Sequence, residues 1–279
     1  MGSLLLIELL GTPIVLAILV WIAQPARNPL GTLVRAWRWV FGSPSGRRMI
    51  ALLAVVVGIN VLQSSLDPRI SGWLGYDLTP WVQSIEGDAV ARLQALLLPI
   101  TPTPVRFALT VFYLAGFVAT LLLPLTLFHG DAAEQRTIRN TWIAALVANY
   151  ILALPFYCFF PVAEIGWFEG SGVRPIIEEL LPGLTAALRG GSALDNCFPS
   201  LHVSCTIAAW WCALRLGRKG CPTLGLSRAA NISAALTAIA VLLLGVHWLS
   251  DVVAGLVFGI ACAEIGLCYS ASQRAALRA

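Results

Sequence analysis

Two short stretches of this chain hold residue types that could do chemistry together. The first is Asp195-Asn196-Cys197-Phe198-Pro199-Ser200-Leu201-His202, at the mouth of an apolar run. Pro199 suits the first turn of a helix, where its missing N–H costs nothing. Free amide N–H groups, the helix dipole and the Ser200 hydroxyl would then suit an anion such as phosphate. His202, just inside, brings an imidazole, the side chain best fitted to proton transfer near neutral pH. The second stretch is His247-Trp248-Leu249-Ser250-Asp251. His247 and Asp251 lie four apart, so on a helix they share a face. The carboxylate can hold one imidazole nitrogen and leave the other free to attack. The chain has only three histidines, and two of them fall in these stretches.

What must position these residues is a membrane bundle. Hydrophobic residues make up 58% of the chain and charged ones 11%, and the mean hydropathy is +0.81. This excludes an ordinary soluble domain and predicts an all-α, polytopic integral membrane helical bundle. Apolar spans are expected at about Ser3–Ala23, Ile50–Ser65, Val105–Phe128, Asn140–Val162, His202–Leu216, Ala230–Trp248 and Val252–Tyr269. That is a six-helix core with one extra N-terminal transmembrane helix. No basic n-region precedes Glu8, so the first span reads as a retained helix rather than a cleaved signal peptide. Residues 1–49 form one unit, the first helix followed by a basic segment. In that segment Leu30, Leu33, Val34, Trp37 and Phe41 keep helical spacing while Arg35 and Arg38 fall elsewhere on the wheel. It reads as a helix lying on the cytoplasmic surface. Residues 50–279 form the six-helix unit. Between its first two spans, Asp67–Pro104 is too polar to cross. There Leu74, Leu78, Trp81, Ile85, Ala89, Leu93 and Leu96 predict an outer amphipathic helix that starts at Thr79-Pro80 and is interrupted near Gly87.

The arginines and lysines set the orientation. Most of the 18 lie in alternate loops: Arg27, Arg35, Arg38, Arg47 and Arg48; Arg136 and Arg139; Arg215, Arg218, Lys219 and Arg228; Arg274 and Arg278. The bias places these loops in the cytoplasm and the N-terminus outside. Asp195–His202, His247–Asp251 and the loop with Arg174 then share the outer side, while His129 falls on the cytoplasmic side. Of the seven cysteines, Cys205, Cys212, Cys262 and Cys268 sit in apolar runs as small hydrophobes. A bridge between Cys158 and Cys197 stays open. Glu8 and Glu264 lie within spans, far from the motif side, and read as packing or interface groups.

Arg174, Ser200, His202, His247 and Asp251 thus converge as an anion site with two imidazoles and a carboxylate. One imidazole can attack phosphorus, the other can protonate the leaving oxygen, and the carboxylate fixes the attacking tautomer. Arg174 and the helix N-terminus can carry the charge on the phosphoryl oxygens. This chemistry requires no metal and no cofactor.

Phe198-Pro199-Ser200-Leu201-His202 and Gly245-Val246-His247-Trp248-Leu249-Ser250-Asp251-Val252-Val253-Ala254-Gly255 resemble the second and third motifs of the type 2 phosphatidic acid phosphatase superfamily. Arg174-Pro175 resembles the end of its first motif. The resemblance spans roughly Ile50 to Tyr269, with the specific motifs in the second half. It implies His247 as the nucleophile forming a phosphohistidine, Asp251 as its orienting group and His202 as the general acid. Ser200 and Arg174 would bind phosphate. The chain departs from the pattern at Trp167, where the superfamily usually has lysine, at Val241, where it has arginine, and at Leu201, where glycine is common. The Pro-Ser-Leu-His form is similar to the inositol phosphorylceramide synthase (aureobasidin-resistance) branch, whose members transfer phosphorylated headgroups between lipids. With two cations replaced, Arg174 carries more of the phosphate, or an outer arginine such as Arg106 helps.

The expected protein is therefore a multi-pass enzyme of the plasma membrane with its site on the extracytoplasmic face. It would act on a phospholipid or isoprenoid phosphate, with no nucleic-acid partner. Water as acceptor makes it a phosphatase; an alcohol makes it a phosphotransferase. A transporter would need ionisable groups strung through the bilayer centre, and a silent scaffold would not require both histidines. The dense aspartate motif of CDP-alcohol phosphotransferases is absent, and Gly190-Gly191-Ser192 in an outer loop makes a poor serine-protease nucleophile.

Overall fold

A computed structural model describes residues 6–183 and 195–276. Parts of the expectations at Ser3–Leu5, Gly190–Ser192 and Arg278 lie outside the described residues. The described chain is helical, with no strand beyond a single bridge between Val162 and Asn196. We label the helices α1 (Ile7–Ala23), α2 (Pro29–Gly42), α3 (Pro44–Leu74), α4 (Thr79–Glu86), α5 (Ala89–Leu97), α6 (Thr103–Leu127), α7 (Ala133–Phe159), α8 (Ile176–Leu180), α9 (Leu201–Gly217), α10 (Leu224–Leu243) and α11 (Leu249–Ala276). Of the seven expected spans, five are long and apolar enough to cross a membrane: α6, α7, α10, and most of α3 and α11. This is a multi-pass membrane protein. The helices at the other two positions, α1 and α9, are shorter.

Helix α9 is the centre. It packs against α10, α11 and α7, and Val203, Ser204, Cys205, Ala208 and Ala209 along it are buried. Its neighbour α11 comes close because it lacks side chains at the contact. A Cβ on Gly259 would stand 2.3 Å from the Ser204 carbonyl oxygen, and one on Gly266 would stand 2.4 Å from that of Thr141 on α7. Small residues permit such backbone approach where lipid supplies no hydrophobic drive. Outward, large apolar side chains such as Val55, Val61 and Leu62 on α3 and Leu9, Ile14 and Trp21 on α1 are more than half exposed. That is the surface expected where hydrocarbon is the solvent.

The basic segment is a helix, α2. The Asn28 side chain caps it by accepting from the Leu30 and Gly31 amides, and Leu30, Val34, Trp37 and Phe41 form its exposed apolar face. Two expectations need correction. Helix α3 does not stop near Ser65 but continues to Leu74 and ends at Gly75, whose φ of 68° suits glycine. Leu74 and Leu78 therefore lie outside the amphipathic segment that was expected to include them. That segment starts at Thr79 and breaks at Gly87, φ 60°, to give the two helices α4 and α5.

Candidate active site

Each motif is placed by its own turn. Ser200 is the N-cap of α9, its Oγ accepting from the Val203 amide at 3.4 Å. Pro199 thus precedes the cap and does not sit in the first turn as the sequence suggests. The Pro199 carbonyl accepts from the Tyr157 hydroxyl at 2.9 Å. Before the His247–Asp251 stretch, α10 ends in a tight turn: Gly245 has φ 74°, and a Cβ there would meet the Arg174 carbonyl oxygen at 2.3 Å. The Val241 carbonyl accepts from both the Val246 and His247 amides, after which α11 begins at Leu249. The Ser200 amide donates to the Asp251 carbonyl at 3.2 Å, joining the two turns directly.

The imidazoles of His202 and His247 face each other with ring centroids 6.2 Å apart. His247 Nδ1 lies 3.2 Å from Asp251 Oδ2, both groups being buried, which leaves Nε2 as the open nitrogen. The Trp248 amide also donates to Asp251 Oδ2, at 2.9 Å. His202 has a different setting. It stacks on Tyr113 at 4.4 Å and meets Phe117 at 4.3 Å. Tyr113 sits in a π-helical turn, Phe112–Gly116, within α6. Such turns concentrate at functional sites.

Of the expected site residues, the structure brings together Ser200, His202, His247 and Asp251. It does not bring the Arg174 side chain to them. Arg174 is exposed, and its guanidinium makes a two-pronged pair with Glu179 at 2.9 and 2.6 Å. That pair raises its pKa further above the ordinary arginine value. Only the backbone of Arg174 is held at the turn: Gln94 on α5 accepts from its amide at 2.9 Å and donates to its carbonyl at 2.9 Å and to the Leu243 carbonyl at 3.1 Å. Arg106 is also committed elsewhere, donating to the carbonyls of Thr101 and Leu98. At the two positions where the motif pattern would place cations, Val241 is buried in an apolar cluster with Val203, Ile207 and Ala234, and Trp167 packs beside Ile176 and Leu244.

Sequence reasoning missed four contributors: Tyr113, Gln94, Cys197 and Glu86. Cys197 is buried, and like the other six cysteines it is unbridged. Its Sγ stands 2.8 Å from Asp251 Oδ2 and 3.1 Å from His247 Nδ1. Burial, with Asp251 and Glu164 nearby, pushes the Cys197 thiol well above its ordinary pKa, so it keeps its proton and can donate. These three polar atoms lie within 4.8 Å of one another, a spacing that hydrogen bonding already explains, and we assign no metal there. Glu86, at the end of α4, accepts from the Leu249 and Ser250 amides at 2.8 and 2.6 Å and so caps α11. The only sequence signal for these four was the position of Cys197 next to the motif.

The C-terminal end of α3 is tied to the Asp195–His202 stretch by a polar knot. Gln63 donates to Asp67 and to Asn196, Asn196 donates to Asp67, and Ser71 donates to Asp195. Glu264, read from sequence as a packing or interface group, accepts from Trp211 Nε1 at 2.7 Å and pairs with Arg215 at 3.3 Å.

Compared with known families, residues 166–275 match the model of the PAP2 superfamily. The matched stretch contains Arg174 and both histidine motifs. No curated protein and no solved structure matches the chain.

Proposed function

We propose that this protein is a membrane-embedded lipid phosphatase or phosphotransferase that works through a phosphohistidine on His247. One observation carries the reading: two imidazoles, one from the first turn of α9 and one from the turn between α10 and α11, lie 6.2 Å apart, and the second has a buried carboxylate on its Nδ1. The match of residues 166–275 to the PAP2 superfamily supports it. In this reading His247 Nε2 attacks phosphorus while His202 gives its proton to the leaving oxygen. Asp251 stabilises the charge that grows on the attacking ring. Water or an alcohol then gives its proton back to His202 and takes the phosphoryl group from His247. Ser200 and the N-terminus of α9 face the phosphoryl oxygens, and Arg174 joins them by exchanging Glu179 for phosphate. In this reading the site lies on the extracytoplasmic face of the plasma membrane with the N-terminus outside, an orientation that the arginine and lysine distribution supports. Residues 50–279 act as the catalytic unit, and residues 1–49 anchor it at the cytoplasmic surface.

The test is a panel of lipid and isoprenoid phosphates given to purified protein in nanodiscs with EDTA present. Phosphate release, or transfer to an added alcohol, is expected together with an acid-labile phosphoenzyme that His247→Ala lacks. Turnover without any phosphoenzyme, or a phosphoenzyme that persists in His247→Ala, overturns the reading.

A second reading, headgroup transfer of the inositol phosphate type, is favoured by burial. Ser200 and Asp251 are fully covered and His247 is only 5% exposed. A dry site suppresses hydrolysis of the intermediate. Product masses with and without inositol or diacylglycerol separate the two readings.

A further inference from the structure

Cys197 carries the side-chain contact from the Asp195–His202 stretch to His247 and Asp251. It precedes Phe198-Pro199-Ser200, and its backbone is fixed by the Val162 carbonyl, which accepts from the Cys197 amide at 3.3 Å. Its side chain is fully enclosed among Val82, Val90, Val162, Ile165 and Trp248. In that apolar wall its one polar atom has three neighbours: Asp251 Oδ2 at 2.8 Å, His247 Nδ1 at 3.1 Å and the Val246 carbonyl at 3.4 Å. An ionised carboxylate is the strongest acceptor of the three, so the S–H points to Asp251. The other carboxylate oxygen, Oδ1, is buried with no hydrogen-bond partner. All the donors that orient Asp251 therefore converge on Oδ2: the Trp248 amide, the His247 Nδ1–H and the Cys197 thiol.

We propose that Cys197 is a positioning residue, whose thiol holds Asp251 Oδ2 against His247 Nδ1 so that the imidazole proton stays on Nδ1 and Nε2 is left bare. The alternative proton arrangement shows why this matters. Were Asp251 to swing off, the thiol at 3.1 Å could donate to Nδ1 instead, the ring would carry its proton on Nε2, and the nitrogen that should attack would be blocked. Donation to Asp251 selects against that tautomer. The role needs only a small donor at this position. It touches no substrate, and it rests on the proposed phosphohistidine reading only where activity is measured.

The experiment compares Cys197→Ala and Cys197→Ser by steady-state kinetics on a lipid phosphate, and by nitrogen NMR of ¹⁵N-histidine-labelled protein in micelles. His247→Ala identifies the His247 signal, and thermal melting confirms that each variant is folded. Cys197→Ala is expected to lower kcat about tenfold with KM within about twofold, the pattern of a lost positioning contact. Its His247 ring is expected to show a mixed tautomer. Cys197→Ser keeps an O–H donor and is expected to restore kcat to within about threefold of wild type, with the proton on Nδ1. The proposal is overturned if Cys197→Ala keeps the wild-type tautomer, or if Cys197→Ser is as impaired as Cys197→Ala, which would mean a packing role alone. Absence of turnover in the wild-type protein would instead remove the phosphohistidine reading, and the tautomer measurement would still decide the part played by Cys197.

Discussion

The two imidazoles of the site occupy contrasting surroundings. His247 is buried at the turn before α11, tied to a carboxylate that is itself tied to the Trp248 amide and the Cys197 thiol. His202, one residue into α9, lies against the rings of Tyr113 and Phe117. The buried carboxylate fixes the tautomer of His247 and leaves Nε2 open, whereas two aromatic faces hold the orientation of His202. The difference teaches that two chemically identical side chains are set apart by their second neighbours.

That contrast can be broken from its stronger side first. His247→Ala should abolish phosphoenzyme formation and lower turnover by about 10⁴-fold or more, measured by trapping labelled phosphate in acid- and alkali-quenched samples. Asp251→Asn keeps the shape but frees the tautomer, and by analogy with other carboxylate–imidazole pairs should cost about 10³- to 10⁴-fold in kcat. His202→Asn should cost about 10²- to 10⁴-fold with a lipid alcohol as leaving group. The loss should shrink sharply with p-nitrophenyl phosphate, whose leaving group needs no proton. No such rescue should appear in His247→Ala, and equal rescue in both would erase the proposed division of roles. Tyr113→Leu removes the stacked ring and should lower kcat by about tenfold, in line with a stacking contact worth roughly 0.5–1.5 kcal/mol. The smallest effect concerns the cation. Glu179→Gln releases Arg174 from its exposed pair and should lower KM for a lipid phosphate by about two- to threefold, read from initial rates.

How much of this was legible in the sequence follows from the range of the forces involved. Spans, the amphipathic α2 and the break at Gly87 depend on local pattern, and they were readable to within about two turns: α7 starts at Ala133 where Asn140 was expected, and α10 covers Leu224–Leu243 where Ala230–Trp248 was expected. The end of α3 was not. Asp67 looks like the edge of the membrane, yet it is accommodated by Gln63 and Asn196, the latter far along the chain. Motif order suggested that His202 and His247 meet, but His247 lies in the turn before α11 and not on one helix with Asp251 as the four-residue spacing suggests, and the 6.2 Å separation needed coordinates. Arg174 illustrates the limit from the other side. A residue can be identified by its spacing while its side chain is turned to a partner five residues on, because nothing in a sequence weighs Glu179 against a phosphate. Tyr113 and Glu86 reach the site from helices whose local sequences carry no sign of it, so only the packing of the bundle could disclose them.

The glycine that closes the Gly245–Gly255 stretch brings no side chain to the site. A Cβ there would press on the Ser200 carbonyl oxygen at 2.8 Å and on Val203 at 3.1 Å. Gly255, with Gly259 one turn further on, acts as a shim of zero thickness between α9 and α11. The spacing of these two helices, and with it the seat of Ser200, is therefore gauged by hydrogens on two bare backbone carbons.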